Sequence, residues 1–257
     1  MSVLPYPPLH EKSKFIVLSD WDGTITDQDS NDYMTDNMGG GRDFRRNLNI
    51  EVLNERITFK DSFADMLATV SAKHSFEECK HVLQKNIGLD PGFKKFYAWC
   101  KSNDIPVIIV SSGMTPIIRA VLSTLLSPTE ADQIDIISND VRFLDPAQKG
   151  ESWEIVFRHP DSGFGHDKSK AILPYRDLPS QPTLFFCGDG VSDMSAAKHA
   201  DLLFTKIMAN GDSDLMAYCK REAIPHVPFR DFNDVLRRVQ EVVAGKSVQA
   251  VLEEEGN

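Results

Sequence analysis

The sequence predicts an α/β fold whose doubly wound, parallel sheet is built from strands that alternate with helices. Short apolar runs, at 15–18, 107–110 and 183–187, have the length and β-branched content of strands buried on both faces. Segments with apolar residues at helical spacing separate most of these runs, and this alternation is typical of parallel sheets. A long helical stretch between the first two strands interrupts the alternation, and it predicts a small all-helical cap inserted there.

The individual elements are predicted from apolar runs and from the glycine, proline and polar clusters that end them. Asp29 or Ser30 can cap the first helix, and Pro116 suits the first turn of a later one. The predicted strands are 15–19, 105–111, 134–138, 183–187, 202–204 and the edge strand 226–228, with a hairpin of 141–143 and 153–158. The predicted helices are one ending at 38, three or four within 42–86, and then 93–100, 116–126, 167–173, 195–199, 214–222, 232–244 and 248–255.

The length of 257 residues suits one α/β domain with an insertion, or two domains of modest size. The predicted division assigns residues 1–26 and 90–257 to a core domain and residues 27–89 to a helical cap domain. The insertion follows a loop at the edge of the sheet where α/β folds bind their ligands. It is therefore placed to act as a lid that excludes water and selects substrates.

Composition excludes several classes of function. The net charge of −10 and the lack of any basic run argue against a nucleic-acid partner. No stretch has the length of a membrane span, and residues 1–14 lack the apolar region of a signal peptide. We therefore expect a cytoplasmic protein, monomeric or homodimeric, without a membrane partner. The cysteines show no CxxC spacing and are expected to be buried free thiols: Cys79, Cys100, Cys187 and Cys219.

Polar residues follow several predicted strands, and these strand ends meet at one edge of a parallel sheet. A phosphoryl-transfer site needs a nucleophile, an acid for the leaving group and positive charge for the phosphoryl oxygens. Carboxylates also suit Mg²⁺, which binds few protein ligands and keeps water and phosphate in its other positions. The residues that can supply these parts are Asp20, Asp22, Ser111, Lys168, Asp189 and Asp193.

These residues lie in segments that resemble the four motifs of the haloacid dehalogenase superfamily, in the same order. Residues 20–24 (DWDGT) resemble motif I, the strand ending at Ser111 resembles motif II, Lys168 resembles the motif III lysine, and residues 188–193 (GDGVSD) resemble motif IV. The resemblance implies a Rossmann-like core. The helical insertion is similar to the small cap of the phosphoserine-phosphatase-like branch. Two longer stretches, residues 111–114 and 187–197, also resemble fungal members of that branch associated with sugar-alcohol (polyol) phosphates.

The resemblance implies a covalent mechanism. Asp20 would attack phosphorus and form an aspartyl-phosphate, and Asp22 would act as general acid and then as general base. Mg²⁺ would be held by Asp20, by the backbone carbonyl of Asp22 and by Asp189. Asp193 would either bind the metal or orient its water shell. His166 either takes part in catalysis or contributes a hydrogen bond from its loop.

The resemblance also implies a phosphate-binding set. Ser111 and Lys168 would hold the phosphoryl oxygens, with backbone donors near Gly23 and Gly113. Two alternatives stay open. Ser112 competes with Ser111 for the role of the hydroxyl donor. Lys170 competes with Lys168, in which case Lys168 would be a solvated residue at the start of a helix.

Substrate choice is expected to lie in the cap, at Asp29, Asn31 and Phe63. Alignment with phosphoserine phosphatases places Val70 where those enzymes carry an arginine for the substrate carboxylate, which disfavours phosphoserine. The acceptors at Asp29 and Asn31 suit hydroxyl groups. The prediction is therefore a Mg²⁺-dependent phosphatase of small phosphomonoesters, most simply sugar-alcohol or sugar phosphates. The alternatives are another metabolite phosphatase, such as a phosphoserine phosphatase, a phosphotransferase on the same fold, or a non-catalytic phospholigand-binding protein.

Overall fold

The computed structural model describes residues 4–208, 211 and 213–255, which contain seven strands and twelve α-helices. The strands are β1 (Phe15–Ser19), β2 (Val107–Met114), β3 (Asp135–Phe143), β4 (Trp153–Val156), β5 (Thr183–Gly188), β6 (Leu202–Lys206) and β7 (Val227–Phe229). They form one sheet in the order β4-β3-β2-β1-β5-β6-β7, in which β4 is antiparallel to β3 and every other pair is parallel. The predicted α/β class is confirmed.

One strand prediction was wrong. Residues 134–138 and 141–143 were assigned to two strands, but both belong to β3. The first half of β3 pairs with β2 in parallel, and its second half pairs with β4 in antiparallel. Ser138, Asn139 and Asp140 interrupt the apolar run without ending the strand. The polar residues show that the side chains contact different surroundings at this point. They do not end the strand, because the backbone stays extended through them.

The helices of the described residues include four, α1 to α4, that follow β1 directly. Between Thr26 and Leu89, which form an isolated bridge, this part of the chain contains no strand. The predicted all-helical insertion is therefore present, while its domain boundaries stay a prediction. The helices are α1 (Ser30–Met38), α2 (Arg42–Leu53), α3 (Phe59–Ser71), α4 (Phe76–Asn86), α5 (Phe93–Ser102), α6 (Thr115–Leu125), α7 (Pro128–Gln133), α8 (Ser169–Arg176), α9 (Met194–Ala197), α10 (Asp214–Arg221), α11 (Phe232–Val243) and α12 (Val248–Glu254).

Local capping explains several helix starts. The side chain of Asp29 accepts hydrogen bonds from the backbone N–H groups of Asn31 and Asp32, which satisfies two donors at the start of α1. Helix α7 was missed from the sequence, although Ser127 and Glu130 form a capping box there. Its six residues are too few to show a helical period. None of the helices in the described ranges is long and apolar enough to cross a membrane.

The sheet separates two apolar clusters, as the alternation of side chains along a strand requires. Val17 of β1 faces one cluster, while Ile16 and Leu18 face the other. The cluster around Val17 also contains Phe63 and Val70 of α3, so the insertion packs continuously onto one side of the core. The four cysteines are free and buried, in agreement with their prediction as thiols.

A buried ion pair joins the two segments that connect the insertion to the sheet. Lys206 at the end of β6 pairs with Asp90 and donates a hydrogen bond to the carbonyl of Thr24 at 2.9 Å. Asp90 also accepts from the backbone N–H of Phe232 at 2.9 Å. Lys206 is 8% exposed and Asp90 is 3% exposed, so water screens little of this attraction. No local sequence pattern predicts this contact, because Thr24, Asp90 and Lys206 lie far apart in the chain.

We expect Lys206→Met to lower the free energy of unfolding by about 3 kcal/mol, because it leaves a buried carboxylate without its charged partner. Lys80→Met is the matched control, since Lys80 pairs with the half-exposed Glu77 on α4 and should cost less than about 1 kcal/mol. Chemical denaturation of both variants measures the difference. Equal losses would contradict a special role for the buried pair.

Candidate active site

The candidate residues lie where strands β1, β2 and β5 end. Asp20 follows the last residue of β1, Asp189 follows the last residue of β5, and Ser111 lies within the end of β2. Strand β1 lies between the other two strands, at the point where the chain order of the sheet changes direction. Such switch points are where open α/β sheets bind their ligands. The sequence prediction that these residues share one edge of the sheet is consistent with this arrangement.

Lys168 joins two carboxylates at the centre of this edge. Its Nζ lies 2.7 Å from Oδ1 of Asp20 and 2.7 Å from Oδ1 of Asp193, and the lysine is fully buried. Burial acts to lower the pKa of Lys168, but the charges of Asp193 and Asp20 outweigh it and raise the pKa above its usual range. Lys170 is half-exposed and lies 4.0 Å from Asp167. Of the two candidate lysines, the geometry brings Lys168 into the site.

Asp193 uses both carboxylate oxygens within the protein. Its Oδ1 contacts Lys168, and its Oδ2 accepts hydrogen bonds from the backbone N–H groups of Asp189 and Gly190 at 3.0 and 3.1 Å. A Cβ at Gly188 would lie 2.6 Å from Cγ of Asp193, so this glycine allows the carboxylate to approach the backbone. The arrangement suits a residue that orients its neighbours, which is one of the two roles predicted for Asp193.

Three carboxylates form a cluster that fits a divalent cation. Oxygen atoms of Asp20, Asp189 and Asp193 all lie within 4.8 Å of one another. Burial raises the pKa of Asp20 and of Asp189, and the mutual repulsion of the carboxylates raises both further. No described residue donates a hydrogen bond to Oδ2 of Asp20 or of Asp189. Close carboxylates with unengaged oxygens are the ligand set that Mg²⁺ prefers.

Gly23 and Thr24 keep Asp189 in this position. Gly23 has a φ of +74°, and a Cβ there would lie 2.8 Å from Oδ2 of Asp189. A side chain at residue 23 would therefore be strained and would crowd the carboxylate. The hydroxyl of Thr24 donates a hydrogen bond to Oδ1 of Asp189 at 2.8 Å. Gly23 and Thr24 therefore allow Asp189 to lie close to the loop that carries Asp20 and Asp22.

Asp22 is held by the first turn of α1. Its Oδ1 accepts from the backbone N–H and the hydroxyl of Ser30 at 2.8 and 2.6 Å, and its Oδ2 accepts from Nδ2 of Asn31 at 2.8 Å. Burial raises the pKa of Asp22, with a further increase from the charge of Asp29, while the bonds from Ser30 oppose this change. A carboxyl group with a raised pKa can carry a proton to a leaving group.

The end of β2 forms a small loop beside Asp22. The backbone N–H of Gly113 donates to Oγ of Ser111 at 2.9 Å, so the hydroxyl of Ser111 keeps its own proton to donate elsewhere. A Cβ at Gly113 would lie 3.2 Å from Oγ of Ser111 and 3.3 Å from Oδ2 of Asp22. Ser111 and Asp22 thus face the same glycine. Oγ of Ser112 is buried without a hydrogen-bond partner among the described residues, so this hydroxyl also has a proton to donate.

The three residues predicted to select the substrate differ in position. Asp29 caps α1, and Asn31 contacts Asp22 while its Oδ1 is buried without a described partner. Phe63 is 5% exposed, and its ring stacks on Phe59 with 5.8 Å between centroids. Phe63 therefore lies in the apolar core. Contact of any of the three with a substrate stays a prediction.

Some polar residues near the site were missed or misread from the sequence. Arg45, in the insertion, lies 2.6 Å from Asp32 and 2.7 Å from Asp36, so its charge is already paired. Asn139 was not singled out, yet its side chain donates to the carbonyl of Ser112 at 2.7 Å. The signal that could have found Asn139 is the polar interruption of an apolar strand, which was read as a strand end.

Comparison with known proteins agrees with this site. A family model for haloacid dehalogenase-like hydrolases matches residues 17–198. The chain is 49% identical to Pdp3-interacting factor 1 of Schizosaccharomyces pombe, over 90% of this chain and 97% of that protein. It is 41% identical to the polyol phosphate phosphatase PYP1 of Saccharomyces cerevisiae, over 94% of this chain and 99% of that protein.

More distant proteins share the fold. The chain is 26% identical to a 2-hydroxy-3-keto-5-methylthiopentenyl-1-phosphate phosphatase of Exiguobacterium, over 85% of this chain and 94% of that protein. A substrate-bound phosphoserine phosphatase superposes with a TM-score of 0.65 at 16% identity, over 88% of this chain and 99% of that chain. The match to the family model spans most of the chain, and the resemblance seen in the sequence is confirmed. The chain belongs to the haloacid dehalogenase-like hydrolase family.

Proposed function

We propose that this protein is a Mg²⁺-dependent phosphatase of small phosphomonoesters and that its substrates are sugar-alcohol or sugar phosphates. The observation that carries the proposal is the buried contact of Lys168 with Asp20, next to Asp189. It puts a nucleophilic carboxylate beside positive charge, which is what transfer of a phosphoryl group requires. Membership of a hydrolase family supports the same class of reaction.

The reaction would proceed in two steps. The carboxylate of Asp20 attacks phosphorus and forms an aspartyl-phosphate as the bond from phosphorus to the leaving oxygen breaks. Asp22 gives its proton to the leaving oxygen, which departs as an alcohol. Asp22 then accepts a proton from a water molecule that attacks the same phosphorus. This second step releases inorganic phosphate and restores the carboxylate of Asp20.

Charge in the site would be balanced by Lys168 and by the metal. Asp20, Asp189 and the backbone carbonyl of Asp22 would hold Mg²⁺, and Asp193 would orient its surroundings. When bound, the ion supplies positive charge to the phosphoryl oxygens. Lys168 and the hydroxyl of Ser111 would donate hydrogen bonds to these oxygens. Lys168 keeps its positive charge although it is fully buried, because its pKa is raised.

The charges around Asp22 support a neutral, hydroxyl-rich leaving group. Asp29 and Asp32 lie at the start of α1, and the nearby Arg45 is already paired with Asp32 and Asp36. Burial raises the pKa of Asp32 to about 8, with a further contribution from Asp29. A second anionic group on the substrate would find Arg45 already paired with Asp32 and Asp36, whereas hydroxyl groups can donate to the carboxyl oxygens of Asp29 and Asp32.

Two further observations agree with this substrate class. The yeast relative that is 41% identical is named a polyol phosphate phosphatase. Val70, which aligns with the arginine of phosphoserine phosphatases, is fully buried in the apolar cluster and offers no partner for a carboxylate.

Replacing either acid should remove activity. We expect Asp20→Asn to lower kcat on the order of 10⁴-fold or more, since the nucleophile is lost. Asp22→Asn should lower kcat roughly 10²- to 10⁴-fold, because proton transfer to the leaving group is lost. Release of inorganic phosphate from a sugar-alcohol phosphate measures both, because its alkoxide leaving group needs the proton. Turnover by Asp20→Asn at the wild-type rate would contradict the covalent mechanism.

Lys168 and Lys170 form a matched pair for the next test. Lys168→Met should lower kcat about 10²- to 10³-fold, the usual effect of removing one charged donor from a transition-state site. Lys170→Met should change kcat less than about twofold, because its half-exposed side chain makes a weak surface pair. The same steady-state assay decides between them. A larger loss in the Lys170 variant would assign the phosphate contact to Lys170.

Substrate class is tested with a panel of phosphomonoesters in the presence of Mg²⁺. We expect kcat/KM for a sugar-alcohol phosphate to exceed that for phosphoserine by at least about tenfold, the effect of one unfavourable charge contact. EDTA should abolish turnover, and added Mg²⁺ should restore it. Preference for phosphoserine would contradict the proposed substrate class. Transfer of phosphate to an added sugar without phosphate release would indicate a phosphotransferase instead.

A further inference from the structure

The loop Ser111–Gly113 is not shaped by the β-ladder that precedes it. Ser111 pairs with Ser138, but the next pair joins Met114 to Asn139, so Ser112 and Gly113 have no register partner on β3. Extra residues in a bulge lose their ladder partners. Other contacts must therefore fix the two peptide groups that link Ser111, Ser112 and Gly113.

His166 holds the first of these peptide groups. Its Nδ1 lies 2.7 Å from the carbonyl oxygen of Ser111, and since a carbonyl can only accept, Nδ1 carries the proton. Burial lowers the pKa of His166 well below its usual value, so the ring is neutral at physiological pH. The C=O and N–H of a trans peptide point in opposite directions. The contact therefore also fixes the direction of the N–H of Ser112.

Asn139 holds the second peptide group. Its Nδ2 donates to the carbonyl of Ser112 at 2.7 Å, and its Oδ1 accepts from the backbone N–H of Arg158 at 2.8 Å. The use of both ends fixes the orientation of this fully buried amide. Anchoring the carbonyl of Ser112 fixes the direction of the N–H of Gly113, which reaches Oγ of Ser111 at 2.9 Å.

The segment that carries His166 is itself braced. His159 donates its backbone N–H to the carbonyl of Gly165 at 2.8 Å, and its Nδ1 accepts from the backbone N–H of Asp167 at 3.2 Å. The ring centroids of His159 and His166 lie 5.4 Å apart. Tyr6, in the arm before β1, contacts Nε2 of His159 at 3.1 Å. His166 is thus held from both sides of its own loop.

We propose that His166 and Asn139 are positioning residues that set the shape of the phosphate-binding loop. They act through the two peptide groups between Ser111 and Gly113. They direct the backbone N–H of Ser112 at the phosphoryl oxygens, and through the N–H of Gly113 they position the Ser111 hydroxyl for the same contact. The inference rests on the proposed function, because it takes Ser111–Gly113 as the phosphate-binding loop.

The test compares His166→Leu, which removes the hydrogen bond to Ser111, with His166→Asn, whose amide N–H can replace Nδ1–H. Orthovanadate is the probe, and its inhibition constant is measured with Mg²⁺ present. For His166→Leu we expect vanadate affinity to fall about tenfold or more, the effect of losing well-placed donors. His166→Asn should stay within about threefold of wild type. Mg²⁺ affinity, read from tryptophan fluorescence, should change in neither variant.

The outcomes separate positioning from general stability. A folded His166→Leu variant with wild-type vanadate affinity would overturn the inference, as would parallel losses of vanadate and Mg²⁺ affinity. If His166→Leu does not fold, Asn139→Ala decides by the same comparison. A wild-type protein that binds vanadate but hydrolyses no phosphomonoester would refute the proposed function alone, and the vanadate affinities of the variants would still decide the loop inference. A wild type that does not bind vanadate would overturn both.

Discussion

The site depends on one buried cation between two carboxylates. Lys168 contacts Asp20 and Asp193 at the same distance, 2.7 Å, and none of the three is in free contact with water. Without this lysine the ends of β1 and β5 would bring like charges together at low dielectric. The charge of Lys168 opposes the effect of burial on the pKa of Asp20 and so favours its carboxylate form, while the second oxygen of Asp193 accepts hydrogen bonds from the backbone at Asp189 and Gly190.

The helical insertion contributes to the chemistry as well as to the packing. Helix α1 begins with Ser30 and Asn31, and both donate to Asp22, the proposed acid. The same turn carries Asp29 and Asp32, whose carboxyl groups we propose favour leaving groups rich in hydroxyls. Any movement of α1 would therefore change the position of the acid and the charge around the substrate together. The position of the acid therefore depends on the position of the insertion through one short stretch of chain.

The sequence predicts which residues can meet, because the carboxyl ends of parallel strands share an edge. That rule was enough to group Asp20, Ser111 and Asp189. It could not show how they are held. The carbonyl of Ser112 is bound by Asn139, and the carbonyl of Thr24 by Lys206, through contacts between distant parts of the chain. No local pattern encodes such partners. The prediction of two strands within β3 was wrong for a related reason. The polar Asn139 does not end the strand, because it forms hydrogen bonds with Ser112 and Arg158, which lie far away in the sequence.

In the proposed mechanism, Asp20 becomes phosphorylated during turnover. The most direct measurement is an acid quench of the working enzyme, followed by borohydride reduction of any acyl phosphate and peptide mass spectrometry. We expect the reduced residue to be Asp20. With an aryl phosphate, whose phenolate leaves without a proton from Asp22, the yield should rise in Asp22→Asn, because Asp22 is the base for the second step. Modification at another residue, or continued phosphate release with no modified Asp20, would rule out Asp20 as the nucleophile.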